Sequence, residues 1–272
     1  MVEDPQLVYT LPGMDQVPVR KDVPYKTVDG ESLLLDVYTP PRLAPGATRP
    51  AVLFVHGDGP PAMLRHAKDW GQYTGWGQLA ARSGLVGITF NHRSSEGWTK
   101  LPQAAGDIAG LIAFVRREAP DLGLDADRLC VWIGSAGGPA GLAPLLRDPP
   151  PFLRGLVAYY TVMDLQGLSG YVDLPPHVTP DLLREFSPVS QVPAGPESCP
   201  PLFIARAGLD RAAINESIDV FIQTALTRNL HLDVMNHPTG RHGFDVLDTD
   251  ARSGEIIRRT LEFMTHHLDA AG

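Results

Sequence analysis

Short apolar runs alternating with stretches of helical periodicity constrain this chain more than any other feature. The runs lie at 33–38, 51–55, 85–90, 129–133, 155–160, 202–205 and 232–235, and most have the length and β-branched character of buried strands. Between them, Ile108, Leu111, Ile112 and Val115 share one helical face, and Ile214, Ile218, Phe221, Ile222 and Ala225 share a second. A third stripe carries Ile257, Leu261, Met264 and Leu268. Parallel strands need long crossovers, so this alternation predicts an α/β fold with a mostly parallel sheet covered on both faces. Gly30 and the short linkers around it predict that the earliest strands pair antiparallel, which makes the sheet mixed.

At 272 residues, 43% hydrophobic and 20% charged, the chain can bury a large core unaided. No Gly/Ser run or charge block divides it, so a single domain over 1–272 is expected, with inserted segments. The prolines at 149–151 mark a helix stop before the next strand. A net charge of −8 with interspersed signs offers no basic stripe for nucleic acid. Cys130 and Cys199 are too few for a disulfide framework and lack metal-ligand spacing; with no bilayer-spanning stretch and an acidic amino terminus, a cytoplasmic protein is expected.

The sharpest local signal is the apolar run through Leu129, Cys130, Val131, Trp132 and Ile133 into Gly134, Ser135, Ala136, Gly137 and Gly138. A strand entering a small-residue turn and then a helix is a nucleophile-elbow arrangement, which projects a strained serine above a sheet. Pro139 suits the first helical turn, where amides have no intrahelical acceptor. A phosphate loop would instead need a Gly-Lys-Ser/Thr ending and an acidic ribose partner, neither of which is evident here.

At these residues the chain resembles the α/β-hydrolase superfamily, particularly its dienelactone-hydrolase, feruloyl-esterase-like and hormone-sensitive-lipase-like esterases. The resemblance runs from Leu33 through His56-Gly57-Asp58-Gly59, Asn91-His92-Arg93, the lead-in Asp125-Ala126-Asp127-Arg128 and the elbow. It continues through Ser187-Pro188 and Gly208-Leu209-Asp210 to His242-Gly243-Phe244. It implies the α/β-hydrolase fold. The family pattern G-x-S-x-G departs at Ile133, where a glycine is expected; shifting the motif by one would put Ala136 at the nucleophile position.

A serine needs a base, itself oriented by a carboxylate, in the chain order Ser, acid, His. Asp210 and His242 each follow a strand and match the family positions for these roles. His237, immediately before Pro238, is the rival base; Asp164 is the rival acid, read here as structural. For the oxyanion, Ala136 supplies one amide, and Gly57 or Asp58 the second, on the resemblance of 56–59 to the HGGG-type segment. Asp58 replaces a glycine of that pattern, so its carboxylate must point away from a developing negative charge.

Segments 60–77 and 161–200 are the expected cap or lid pieces. Trp70, Trp76, Trp98 and Phe244 are candidate substrate-binding aromatics, with Tyr73, Tyr171 and His177 on the same segments. The reading is a serine carboxylesterase for small, largely apolar esters, with no cofactor or metal and no nucleic-acid or membrane partner; a homodimer is left open. A prolyl-oligopeptidase-like peptidase and a degenerate hydrolase retained as a binding module, the latter motivated by Ile133 and Asp58, are the alternatives.

Overall fold

The computed structural model describes residues 5–168 and 178–269. Its strands are β1 (Val19–Val28), β2 (Glu31–Tyr38), β3 (Arg49–Val55), β4 (Val86–Phe90), β5 (Leu124–Gly134), β6 (Leu153–Tyr159), β7 (Leu202–Ala207) and β8 (Leu232–His237). They form one sheet in the order β1-β2-β4-β3-β5-β6-β7-β8. The β1–β2 and β2–β4 pairs are antiparallel and all later pairs parallel, as the linker around Gly30 predicts.

The helices before the elbow are α1 (Pro61–Leu64), α2 (Gly71–Arg82), α3 (Leu101–Arg117) and α4 (Ala119–Leu122). After it come α5 (Gly138–Arg147), α6 (Leu165–Leu168), α7 (Pro180–Glu185), α8 (Ala212–Thr227), α9 (Phe244–Leu247) and α10 (Ala251–Asp269). Because side chains alternate along a strand, Leu53, Val55, Val131 and Ile133 enter a core shared with α3, α5 and α8. Val52, Phe54, Cys130 and Trp132 enter the opposite core, shared with α2 and α10. Both faces are therefore covered, as parallel strands require.

One strand departs from expectation. β1 carries Pro24 and a run of exposed polar residues, and only Val23 and Tyr25 are buried in it. A proline is tolerated there because β1 is an edge strand whose register shifts between Pro24 and Lys26. Lys68, almost fully buried, pins this edge with contacts of 2.9 Å to each of Asp22, Asp36 and Asp69.

Helix α2 lies unusually close to β4, because glycines face each other at the contact. A Cβ on Gly87 would sit 2.7 Å from the Gly77 carbonyl oxygen, and one on Gly77 would meet the Tyr38 ring at 2.5 Å. By contrast, nothing lies within 4 Å of a Cβ placed on Gly106, in the exposed part of α3. We expect Gly87→Ala to destabilise the protein by about 1–3 kcal/mol through overpacking against backbone. Gly106→Ala should stabilise it by about 0.5–1 kcal/mol. Urea unfolding midpoints of both variants check the pair; equal effects would contradict the close-approach argument.

Candidate active site

The carboxyl ends of the parallel strands gather the reactive groups on one rim, the usual place for ligands in open α/β sheets. Ser135 follows β5 directly and opens a short 3-10 turn, Ser135–Gly137, that leads into α5. Its φ of 52° is left-handed, a conformation that costs a residue with a side chain about 1–2 kcal/mol. The surroundings enforce it. The Ser135 carbonyl accepts the Val162 amide at 3.0 Å, and a Cβ on Gly138 would lie 2.3 Å from both Thr161 Cγ2 and the Val162 carbonyl oxygen. Only glycine fits that approach.

From this turn the serine hydroxyl reaches His242 Nε2 at 2.7 Å, and His242 Nδ1 reaches Asp210 Oδ2 at 2.6 Å. The imidazole is 30% exposed and the carboxylate 1%, so the ring opens to solvent while its partner is enclosed. Asp210 Oδ1 also accepts the Arg211 amide at 2.8 Å. The two loops that carry these residues are sewn together by Gly208 N–H to His237 O at 2.8 Å and Leu209 N–H to Gly240 O at 2.9 Å. The rivals are occupied elsewhere. Buried His237 contacts Asp250 and Ser253 through Nε2; Asp164 accepts the Gln166 amide at 2.9 Å, as a cap does.

The BD-FAE family model matches residues 35–147. Esterase LipQ of Mycobacterium tuberculosis (strain ATCC 25618 / H37Rv) is 26% identical over 274 residues, covering 89% of this chain and 61% of LipQ. An ethyl acetate hydrolase of Pseudomonas putida is 31% identical over 137 residues, covering 50% of this chain and 41% of that protein. A thermophilic esterase of Thermogutta terrifontis superposes with a TM-score of 0.70 at 21% identity over 94% of both chains. The chain has the α/β-hydrolase fold, and its matched segments are similar to esterases. It spans about three fifths of the length of LipQ and about two fifths of the ethyl acetate hydrolase.

Within this fold the other expected site residues divide. Ala136 lies on the turn, half-buried. Gly57 packs against the elbow, and a Cβ there would be 3.1 Å from Ser135 Cβ. Its amide, however, donates to the Tyr73 hydroxyl at 3.2 Å, which corrects its expected role as a free oxyanion donor. That leaves the Asp58 amide as the second candidate. The Asp58 carboxylate turns away from the turn, accepting Gly59 N–H at 2.9 Å, Ser95 N–H at 3.0 Å and the Ser95 hydroxyl.

Among the aromatics, Trp98 lines a pocket of about 440 Å³ with Ser135, Ala136, Val162, Leu168 and Ile214. Trp76 and Phe244 do not line it. Both are 0% exposed and packed in the core with Trp132 and Tyr159, so the expectation that they bind substrate is corrected by burial. Trp70 is half-buried beside Tyr73, with ring centroids 6.1 Å apart, and does not line that pocket either. Tyr171 and His177 lie outside the described residues. Val162 and Leu168, from segment 161–200, line the pocket.

The expected crowding by Ile133 is relieved from the helix side. Its side-chain carbons would lie 3.2–3.4 Å from a Cβ on Gly137 or Gly141, so glycines of the turn and α5 provide the room that the family pattern places on the strand.

Two features carry no clear sequence signal. The Tyr160 ring packs on His242 with centroids 4.7 Å apart, and its hydroxyl donates to Asp245 Oδ1 at 2.5 Å. Asp245, fully buried, also accepts Gln72 Nε2 at 2.9 Å and Trp76 Nε1 at 3.0 Å; burial raises its pKa against these donors. The left-handed φ of 37° at Tyr160 leaves no sequence signature, although its place just after a strand is a positional hint. Among the described residues, no group of three or more His, Cys, Asp or Glu could hold a metal ion, and no helix is long and apolar enough to cross a membrane.

Beneath the Gly57–Asp58 loop, the His56 and His92 rings stack 3.7 Å apart at 7°. His56 Nε2 accepts the His92 amide at 3.2 Å, so Nδ1 carries the proton that faces Gly57 O at 2.7 Å. Burial holds both imidazoles below their ordinary pKa of 6.5, His56 well below, and the neighbouring ring adds to this at His56. The unfolded chain then binds protons that the native state refuses. Stability is full above pH 6.5 and is lost as pH falls through it. We expect the urea midpoint to drop between about pH 7.5 and 5.5. His92→Gln should flatten the slope by up to about 1.4 kcal/mol per pH unit, the weight of one proton; an unchanged slope would contradict neutral burial.

Proposed function

We propose that this chain is a serine hydrolase that cleaves small, largely apolar carboxylic esters through an acyl-enzyme intermediate. The observation that supports it most directly is the unbroken relay Ser135 Oγ–His242 Nε2–His242 Nδ1–Asp210 Oδ2, with contacts of 2.7 and 2.6 Å. In this reading His242 takes the hydroxyl proton as Ser135 attacks the ester carbonyl, then returns it to the departing alcohol. Asp210 holds the ring in the Nδ1–H tautomer and favours the imidazolium that forms. Water enters against the same imidazole and releases the acid.

The Ala136 and Asp58 amides are the proposed oxyanion donors, each worth on the order of a hundredfold to a thousandfold in rate. The Asp58 carboxylate does not oppose this, since its oxygens are engaged by Gly59 and Ser95. The pocket is apolar at Trp98, Val162, Leu168 and Ile214 and charged at Asp58 and Arg211, and its apolar part favours a largely apolar substrate arm. A small ester also fits the similarity to an ethyl acetate hydrolase over half of the chain.

A fluorophosphonate probe is expected to label the wild type once, and Ser135→Ala not at all. Ser135→Ala and His242→Ala should each lower kcat on a short-chain chromogenic ester by on the order of 10⁴-fold or more. Full labelling of Ser135→Ala would show that another residue is the nucleophile. A folded wild type that neither labels nor hydrolyses any ester would favour a binding module.

A further inference from the structure

Trp98 sits in the loop between β4 and α3 in a conformation that a tryptophan rarely adopts. Its φ is 73°, and Glu96, two residues earlier, has a φ of 47°. Such strain persists only where neighbours over-determine it. Here the neighbours form a relay. Ser95 Oγ accepts the Trp98 amide at 3.1 Å while donating its own proton to Asp58 Oδ2, and Asp58 Oδ1 accepts the Ser95 amide at 3.0 Å. Ser94 adds a parallel tie, donating to Gly59 O at 2.6 Å and accepting the Glu96 amide at 2.9 Å. Ser94 and Ser95 are almost fully buried, so these bonds are shielded from water.

The indole held this way borders two spaces. On one side is the pocket that contains Ser135, with Val162, Leu168 and Ile214 as apolar lining and Arg211 as a charged member. On the other is a more open pocket lined by Pro60, Pro61 and Gly97. Ala136 and Asp58 belong to both. The proposed oxyanion position therefore lies where the two pockets meet, with Trp98 between them.

We infer that Trp98 is a partition that divides the substrate site into two compartments, and that Asp58 and Ser95 are positioning residues that fix it. The inference rests on Ser135 being the nucleophile. The carboxylate that stands at a family glycine position then couples the loop after β3 to the wall through the Ser95 hydroxyl, while the Gly59 and Ser95 amides hold Asp58 itself. The substrate class that fits is an ester whose two arms diverge at the carbonyl, with the arm on the Ser135 side limited in length by the indole.

The test is kcat/KM for p-nitrophenyl esters from acetate to decanoate, measured for the wild type, Ser95→Ala, Trp98→Ala and the double variant, alongside the rate of fluorophosphonate labelling. Trp98→Ala should move the optimum to longer acyl chains and improve the longest ester relative to acetate by about tenfold or more, the scale that one or two methylenes set in an apolar pocket. Ser95→Ala should move it in the same direction, mainly through KM, with labelling within about threefold of wild type. The double variant should go no further than Trp98→Ala alone, because residues acting through one wall are not additive.

An unchanged chain-length profile in Trp98→Ala would overturn the partition. This partly buried loop residue packs against the rim of the core and is not one of its buried members, so that arm survives even if Ser95→Ala fails to fold. A Ser95→Ala variant that loses rate equally on every ester, or whose effect adds fully to that of Trp98→Ala, would overturn the positioning role. Labelling that persists in Ser135→Ala would sink the nucleophile assignment, and with it the partition.

Discussion

The left-handed residue at the end of β5 is the constraint on which the rest of this site depends. Ser135 can hold a φ of 52° only because the chain around it is pressed from two sides. Gly138 lies against Thr161 and Val162, and a Cβ on Gly137 would come within 2.6 Å of the His56 carbonyl oxygen. A larger residue at either glycine would force the loops after β3 and β6 away from the turn. Those loops carry Gly57 and Asp58 on one side and Val162 on the other. The geometry of Ser135, of the adjoining amides and of one pocket wall is thus one packing problem with one solution.

Around that turn the sheet acts as a positioning frame. Three separate strand ends deliver the serine, the carboxylate and the imidazole, and the loops after β7 and β8 are joined by backbone hydrogen bonds before any side chain of the relay is considered. Below the imidazole lies a second, interior assembly. Asp245, Tyr160, Gln72 and Trp76 share hydrogen bonds of 2.5–3.0 Å. Removing one member of such a network strands buried donors or a buried carboxylate, so the support for the His242 loop is rigid.

Much of this is legible in the sequence because it is written in short-range pattern. Strands β2 to β8 announce themselves as apolar runs, and the long helices α3, α8 and α10 as stripes with buried residues such as Leu111, Phe221 and Met264. The resemblance to the superfamily, together with chain order and spacing from strand to loop, picks out Ser135, Asp210 and His242 as residues expected to approach one another. What escapes is decided by burial and by hydrogen-bond partners, which no window of sequence contains. β1 reads as a polar segment because an edge strand shows few apolar residues. Trp76 and Phe244 have the composition of pocket aromatics and are core residues instead. The Gly57 amide is committed to Tyr73, sixteen residues away, and the Asp58 carboxylate to Ser95, thirty-seven away. At Ile133 a one-position reading of the family pattern misses that the needed space comes from Gly137 and Gly141.

The proposed mechanism requires that Ser135 hold the acyl group during turnover. It is tested most directly by mixing the protein with a short-chain p-nitrophenyl ester, quenching in acid within the first turnovers and mapping the modified peptide by mass spectrometry. The predicted result is a single acyl adduct on Ser135, which disappears as the ester is exhausted. An adduct that accumulates on another residue, or steady hydrolysis with no adduct at any quench time and no burst of released nitrophenol, would contradict it.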